Sequence, residues 1–368
     1  MNSFKFILLI LLFFNQGLFA QSKTTKTEHV VLVTLDGLRW QELFQGADSL
    51  FVDDTGMIKN HGSLLEEFWH TDPKVRRGKL FPFVWGTISQ QGQIYGNRYL
   101  GVKVDTQNKL WFSYPGYNEL LSGSADDIRI RSNDKVPNPN KTFLEYLNEL
   151  PAYQNKVMAF GGWDVFPFII NETRSGIPVN AGFTSANRSP LSEAEKLLNR
   201  LQEEIRGPWE SVRLDPFTHH YALEAIRSQK PSILYIAYGE TDDWAHDGRY
   251  DEYLKSAKQT DAYLKELWET IQSDPYYQNK TTLLITVDHG RGTTKTSWKS
   301  HGADVPGAGQ VWLLAIGPDT PPLGEIVEEG QWYSAMLPRT IFGLLGLDYP
   351  ETKAAPEWKE ILRQTNSK

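Results

Sequence analysis

Acidic and histidine side chains follow three apolar runs of this chain, at or just beyond the point where each run ends. They are Asp36, then Asp242 with His246 four residues later, and then the adjacent pair Asp288 and His289. Short β-branched runs that end in polar turns are typical of buried parallel strands, and open α/β sheets place their ligands at the carboxyl ends of such strands. The sequence therefore predicts three Asp and two His side chains on one edge of a sheet.

His301 lies twelve residues after His289, in a loop rich in Gly, Lys and Thr, and supplies a third histidine. A single Asp or His at such a position is commonly a turn former or a helix cap. Three buried carboxylates that converge without a counter-charge would repel one another, and a bound cation removes that repulsion. The six residues divide into two mixed nitrogen and oxygen sites of three ligands each, which suits two zinc-like ions.

The elements that must position these residues alternate between strands and helices. We expect strands near Val30–Leu35, 92–96, 156–160 and 310–316, a long helix over Tyr250–Ile271, and a closing helix over Ala335–Leu345. This order predicts an α/β fold, a three-layer sandwich in which a largely parallel central sheet is flanked by helices on both faces. Residues 39–79 read as loops with short helices. No repeat or linker divides the chain, which favours a single domain over residues 29–368.

The first twenty residues carry Lys5 and then an unbroken apolar stretch, and they end in a small residue, Ala20. This pattern is that of a secretory signal peptide, too short to anchor the chain in a bilayer. We therefore expect a periplasmic or secreted protein, cleaved near Ala20, with no membrane anchor after cleavage. A flexible polar tether, residues 21–28, follows the signal peptide.

Composition excludes several kinds of partner and chemistry. The net charge of −7 becomes −8 once Lys5 is removed with the signal peptide, so no basic surface for nucleic acid or anionic lipid is expected. The chain has no cysteine, which excludes disulfides and thiolate ligands or nucleophiles. Metal ligands must then be His, Asp, Glu or hydroxyl groups. The oligomeric state is left open.

Four segments of the chain resemble, in order, the metal-ligand series of the alkaline phosphatase superfamily. They are Val33-Thr34-Leu35-Asp36-Gly37, Asp242-x-x-x-His246, Thr286-Val287-Asp288-His289-Gly290 and His301-Gly302. The most similar branch is that of type I phosphodiesterases and nucleotide pyrophosphatases, with cofactor-independent phosphoglycerate mutases and sulfatases as relatives. The resemblance spans about residues 29–318.

The resemblance implies a hydroxyl nucleophile at the start of a helix between Asp36 and Asp242, and Ser113 in Ser113-Tyr114-Pro115 fits that place. The alternative for Ser113 is a helix N-cap. By family analogy, two divalent ions, expected to be Zn²⁺, bind this centre. One is held by Asp36, Ser113, Asp288 and His289, and the other by Asp242, His246 and His301. Catalysis would then proceed through a phosphoseryl intermediate.

Two positions depart from relatives of the superfamily. Sulfatases place Arg four residues after the nucleophile, in a motif that directs conversion of Cys or Ser to formylglycine, and this chain has Tyr117 there. The nucleotide pyrophosphatase branch has Asn directly after the proline, and this chain has Gly116. The resemblance leaves open whether Asn118 takes over the contact of that Asn with the oxyanion.

Substrate contacts are expected near the last ligand loop. Arg291 is placed beside the metals to pair with a phosphoryl oxygen, or alternatively bridges to surface carboxylates. Lys295 and Lys299 are further candidates, and Trp163, Trp244 and Trp298 either stack on a substrate or pack in the core. The expected activity is metal-dependent hydrolysis of a small phosphoric ester, either a diester or a monoester. The alternatives are a sulfuric ester hydrolase with an unmodified serine and a binding protein without turnover.

Overall fold

The first strand of the central sheet, His29–Leu35 (β1), is buried along its whole length. An uninterrupted β-branched run needs cover on both faces, which a central strand of an α/β sheet receives. The computed structural model describes residues 25–205 and 207–362. The predicted signal peptide, residues 1–20, lies outside the described residues and stays a prediction, as do residues 21–24 of the tether.

Two sheets are built from the described strands. The other strands are Gln93–Tyr95 (β2), Val102–Asp105 (β3), Val157–Gly161 (β4), Val179–Ala181 (β5), Ile233–Tyr238 (β6), Thr281–Thr286 (β7), Gln310–Val311 (β8), Leu313–Ile316 (β9), Gly324–Glu325 (β10) and Gly330–Tyr333 (β11). In the part of the chain that is described, the large sheet has the order β10-β2-β9-β7-β1-β6-β4-β5, and a small sheet has the order β11-β3-β8. Within the large sheet β9 alone runs against its neighbours, so the sheet is mostly parallel.

Helices connect and flank the strands. Their bounds are Trp40–Gln45 (α1), His61–Phe68 (α2), Pro73–Leu80 (α3), Ser89–Gln91 (α4), Ser113–Ser122 (α5), Phe143–Glu149 (α6), Phe166–Ile169 (α7), Glu172–Ser175 (α8), Glu193–Glu204 (α9), Asp215–Ser228 (α10), Glu240–His246 (α11), Tyr250–Ser273 (α12) and Leu337–Leu344 (α13). A π-helical turn, Val84–Ile88, precedes α4. Short 3₁₀ turns lie at Arg98–Leu100, Ser297–Lys299, Ser334–Met336 and Lys359–Ile361. The predicted α/β class, with a large, mostly parallel sheet flanked by helices, is confirmed.

The predicted strand over 310–316 is divided in the structure. Gln310–Val311 pairs with β3 in the small sheet, whereas Leu313–Ile316 pairs with β7 and β2 in the large one. Trp312 stands at the division, where its indole Nε1 donates to the Leu38 carbonyl at 2.9 Å and its own carbonyl accepts from Thr286 Oγ1 at 2.5 Å. The hydrogen bonds of Trp312 therefore hold the point at which one apolar run leaves the small sheet and enters the large sheet.

The end of the predicted tether is fixed rather than free. Thr27 is buried, and both its backbone N–H and its hydroxyl donate to Asp319 Oδ2 at 2.7 Å. The last part of the predicted tether is therefore held in place before β1 by the hydrogen bonds of Thr27 to Asp319.

Buried apolar side chains form one cluster from Val30 to Ile361. No helix in residues 25–205 and 207–362 is long and apolar enough to cross a membrane.

Candidate metal centre

The ends of three adjacent parallel strands bring the first ligand candidates together. Leu35 of β1 pairs with Tyr238 of β6, and Thr34 pairs with Thr286 of β7, so the three strands end side by side. Asp36 follows β1 directly, and its backbone N–H donates to the Tyr238 carbonyl at 3.0 Å. Asp288 and His289 follow β7 after one intervening residue, Val287. The convergence predicted from the strand ends is therefore present.

A short helix and a loop supply the remaining candidates. Asp242 and His246 lie one turn apart on α11, and Asp242 Oδ2 is 3.1 Å from His246 Nε2. This spacing places both side chains on one face of the helix. His301, in the loop between β7 and β8, brings its Nε2 to 3.0 Å from that of His246.

The six residues form two groups, each with three ligand atoms within 4.8 Å of one another. The first group is Asp36, Asp288 and His289, and all three are buried. The second is Asp242, His246 and His301, with a half-exposed His246. These are the two sets that the resemblance implied.

The first group fits a divalent ion in its donor atoms. Asp36 Oδ1 and Asp288 Oδ2 are buried and have no hydrogen-bond partner among the described residues. They lie 3.3 and 3.4 Å from His289 Nε2. His289 Nδ1 lies 2.9 Å from the Gly290 carbonyl, and an N–H donated there leaves the Nε2 lone pair for a metal. Two unpaired carboxylate oxygens and one imidazole nitrogen therefore share one buried space.

The pKa values of the ligand candidates reflect their burial and the charged side chains close to them. Burial, and then the charge of Asp36, hold the pKa of Asp288 well above its usual range. Burial lowers the pKa of His289, but the carboxylates of Asp288 and Asp36 outweigh it and raise that pKa to about 9. Burial, and then the nearby His289, lower the pKa of His301 to about 2. A cation at this place would relieve the repulsion between the buried carboxylates.

Ser113 lies beside the first group, as the first residue of α5. Its Oγ is 3.3 Å from His289 Nε2. Phe112 occupies the N-cap position, and no side-chain cap hydrogen bond is present there, so the structure gives no support to the N-cap alternative for Ser113. The loop before Ser113 is held by Glu119 of the same helix, which accepts the backbone N–H groups of Gln107 and Asn108 at 2.7 Å. The start of α5, which carries the Ser113 hydroxyl, is therefore hydrogen-bonded through Glu119 to the loop that precedes it.

Two glycines allow the close approach that this centre needs. Gly37 has a φ of +60°, and a Cβ there would lie 2.6 Å from Asp242 Oδ1. A Cβ on Gly116 would lie 2.4 Å from the Asp288 carbonyl oxygen. Gly116 therefore lets α5 pack directly on the backbone of a ligand, which gives a physical reason for glycine at this position.

Tyr117, at the position where the sulfatase motif has Arg, holds a metal-ligand candidate. Its hydroxyl is fully buried and donates to Asp36 Oδ2 at 2.9 Å. This bond leaves Asp36 Oδ1 facing His289. The sequence showed Tyr117 only as a departure from sulfatases, since nothing in the chain placed it next to Asp36.

A cavity of about 150 Å³ opens over both groups of ligand candidates. Its lining residues are Asp36, Ser113, Asn133, Trp163, Ser211, Val212, Gly239, Asp242, Asp243, His246 and His301. Ser113 thus shares one small cavity with members of both groups. Asp243 lines the same cavity, and burial, followed by the charge of Asp242, raises the pKa of its carboxyl group to about 9.

Asn133 is a cavity residue that the sequence did not indicate. Its Oδ1 accepts the Tyr114 backbone N–H at 3.0 Å, at the start of α5. Its amide N–H groups have no protein partner within the described residues, and they are carried by a segment without regular structure. Asn133 lies twenty residues after Ser113, and no motif or periodicity connects the two in the sequence.

Asn118 and Arg291, the two predicted substrate contacts, do not line this cavity. The amide of Asn118 donates to the Ser124 carbonyl at 3.2 Å, and its oxygen accepts from Asn140 at 3.0 Å. Arg291 is buried and forms an ion pair with Asp242 instead of reaching surface carboxylates. Their roles toward substrate stay predictions.

The other predicted substrate contacts divide into residues that line the cavity and residues that do not. Trp163 lines the cavity, whereas Trp298 is buried in the core against Phe51 and Tyr250. Trp244 packs edge-on against Trp209 with ring centroids 4.8 Å apart. Lys295 Nζ lies 3.7 Å from Asp54 Oδ2, within ion-pair distance. Packing is therefore the role that the structure gives to Trp298 and Trp244, while Trp163 keeps access to the cavity.

Comparison with solved structures identifies relatives of the fold. An alkaline phosphatase, PafA, solved as a mutant, is 10% identical and matches with a TM-score of 0.59, covering 92% of this chain and 99% of that one. A phosphonate monoester hydrolase from Silicibacter pomeroyi is 13% identical, with a TM-score of 0.55 and coverage of 92% and 77%. A putative sulfatase from Bacteroides thetaiotaomicron VPI-5482 is 13% identical, with a TM-score of 0.56 and coverage of 92% and 75%. At such low identity these likenesses show the fold.

The sequence comparisons add one match. A search of curated protein sequences gives none. Residues 217–306 match the family model of the metalloenzyme superfamily, and this segment carries Asp242, His246, Asp288, His289 and His301. The resemblance to the alkaline phosphatase superfamily is therefore confirmed, by the metalloenzyme model over residues 217–306 and by the fold, while the branch within the superfamily stays a prediction.

Proposed function

We propose that this chain is a two-metal hydrolase of phosphoric esters that uses Ser113 as its nucleophile. The observation that carries the proposal is the position of Ser113 in one cavity with members of both groups of ligand candidates. Asp36, Asp288 and His289, with Ser113, would hold one ion, and Asp242, His246 and His301 the other. Divalent ions at these sites, expected to be Zn²⁺, lower the pKa of a bound hydroxyl and offset the negative charge of the reacting phosphoryl group.

The proposed reaction has two steps, and Ser113 and Asn133 have different roles in it. Ser113 Oγ gives up its proton and forms a bond to phosphorus, while the bond from phosphorus to the leaving oxygen breaks and that oxygen takes up a proton. Water then cleaves the phosphoseryl bond, which restores the serine and releases the phosphoryl product. Asn133 lines the cavity and its oxygen is occupied by the Tyr114 N–H, so its amide N–H groups are assigned to a phosphoryl oxygen.

The lining of the cavity favours an ester with one negative charge. Among the described residues it has no Lys or Arg, so beyond the two ions no cationic side chain is available to pair with the second negative charge of a monoester. A phosphodiester carries one negative charge, whereas a phosphomonoester carries nearly two at neutral pH. We therefore place diesters ahead of monoesters as substrates.

A sulfate monoester is also monoanionic, so the cavity's charge does not separate it from a phosphodiester. The absence of cysteine and the engagement of Tyr117 with Asp36 support the phosphoric ester reading, because the sulfatase motif requires Arg at that position. A putative sulfatase shares the fold, and sulfuric ester hydrolysis by an unmodified serine is the second candidate.

A substrate panel with the metal-loaded protein tests the substrate class. Release of p-nitrophenol from bis-p-nitrophenyl phosphate should exceed release from p-nitrophenyl phosphate and from p-nitrophenyl sulfate. Turnover of the sulfate ester alone would establish the second candidate. Absence of turnover on all three, in a protein that still binds metal, would identify a binding protein.

The variant Ser113→Ala tests the nucleophile. We expect kcat/KM to fall on the order of 10³-fold or more, because no covalent intermediate can form. Acid quenching of the wild-type reaction should trap a phosphorylated peptide that contains Ser113, which mass spectrometry detects. Ser122→Ala, at the far end of α5, is the matched control and should keep its activity. Full activity in Ser113→Ala would remove Ser113 from the mechanism.

A further inference from the structure

Arg291 is a buried cation fixed behind the second group of ligand candidates. Its side chain is fully buried, and one terminal nitrogen donates to the Asp242 carbonyl at 3.0 Å while it also pairs with Asp242 Oδ1. The other terminal nitrogen donates to the Trp298 carbonyl at 3.3 Å. Since Arg291 does not line the cavity over Ser113, its charge acts on Asp242 and not directly on a bound ester.

The guanidinium has little room to move away from Asp242. Trp298, which receives one of its hydrogen bonds, is buried against Phe51, Tyr250 and Tyr253. On another side lies Gly37, where even a Cβ would stand 3.0 Å from Arg291 Nε. The positive charge therefore remains beside Asp242 when a metal ion reaches that carboxylate.

The two sites consequently differ in charge. When a metal is bound and has displaced the protons of its ligands, Asp36 and Asp288 give the first site two negative charges, and all of its ligand candidates are buried. Asp242 gives the second site one negative charge, which Arg291 offsets, and His246 of that site is half exposed. A divalent ion is attracted more strongly to the first site, because it has the larger negative charge and less solvent screening.

We propose that Arg291 makes the two metal sites unequal, so that the site of Asp36, Asp288 and His289 fills first and the site of Asp242, His246 and His301 binds its ion more weakly. This inference rests on the proposed two-metal function and adds to it an order of loading. Arg291 is a positioning residue here, because it acts on the ion through Asp242.

Calorimetric titration of the chelator-treated full-length protein with Zn²⁺ tests the proposal. The wild type should show a tight class and a weak class of sites, and His246→Ala should lose the weak class alone. Arg291→Gln keeps hydrogen-bond donors but removes the charge, and it should tighten the weak class by about tenfold or more. Arg291→Lys keeps the charge and should leave the two classes as far apart as in the wild type.

A control variant and the contrary outcomes complete the test. Lys295→Gln removes a positive charge from the same loop without contact to Asp242, and it should leave both classes unchanged. Equal affinities in the wild type, or a weak class that is unchanged or weaker in Arg291→Gln, would overturn the unequal-site proposal while the two-metal function stands. Absence of any bound Zn²⁺ in the wild type would overturn the proposed function itself, and the order of loading with it.

Discussion

The hydroxyl of Tyr117 donates to Asp36 Oδ2 and so helps to orient this carboxylate toward the proposed first metal site. In Tyr117→Phe, Asp36 Oδ2 loses the donor that lies 2.9 Å away and remains buried. Loss of a hydrogen bond to a ligand typically lowers metal affinity 10- to 100-fold, and we expect a weakening of about that size. Competition with a chelator of known affinity measures it. Tyr114→Phe is the matched control, because its hydroxyl donates to the Val136 carbonyl and not to a ligand candidate. Equal metal affinity in the two variants would contradict this role of Tyr117.

At the residue scale, the sequence predicted the side chains that stand where regular elements end. Asp36, Asp242 and Asp288 follow apolar runs, so their approach could be predicted from the shared edge at which parallel strands end. Asn133 could not be found, because an irregular segment places it and a hydrogen bond to Tyr114 orients it. Arg291 lies beside the ligand candidate Asp242, but this pairing could not be predicted. Trp298 and Gly37, which surround the guanidinium, come from separate parts of the sequence.

Among the elements, the contact of α5 with the end of β7 is the one that brings Ser113 to the ligands. In Gly116→Ala the new Cβ would stand 2.4 Å from the Asp288 carbonyl oxygen, so the helix or the ligand backbone must shift. We expect a loss of about 1–3 kcal/mol in stability and weaker metal binding, measured by thermal melts and Zn²⁺ titration. Gly78→Ala, in α3, meets no atom within 4 Å and should instead stabilise the protein by up to about 1 kcal/mol. A Gly116→Ala protein as stable as Gly78→Ala would show that α5 is not closely packed there.

The longer elements were predicted more completely than the short ones. The apolar pattern predicted α12 and β1 to within two residues at each end, because a long apolar pattern fixes the side of the element that is buried. The small sheet was missed, since β3 and β11 have only four residues each and β8 was predicted as part of one longer strand. The division of one apolar run at Trp312 depends on partners far away in the chain, and local sequence contains no sign of it.

For the whole molecule, metal should contribute to stability as well as to chemistry. The first site buries two carboxylates without a counter-ion other than His289, and a bound ion offsets their repulsion. An ion present at about 100 times its dissociation constant adds about 2.7 kcal/mol to the folded state. We therefore expect a chelator to lower Tm by about 4 °C in thermal melts, and added Zn²⁺ to restore it. The double variant Asp36→Asn with Asp288→Asn should respond little to the chelator. An unchanged Tm in the chelated wild type would argue against an ion at this site.

The anchoring of Thr27 by Asp319 also places the first described residues at a known distance from the cavity. Thr27 lies at the amino end of β1, whereas Asp36 lies beyond its carboxyl end, and seven residues of strand separate them by about 20 Å. The described residues ahead of β1 therefore lie at the edge of the sheet opposite the one that carries Ser113. An affinity tag or a solid support joined at that end would leave the mouth of the cavity open to substrates in solution.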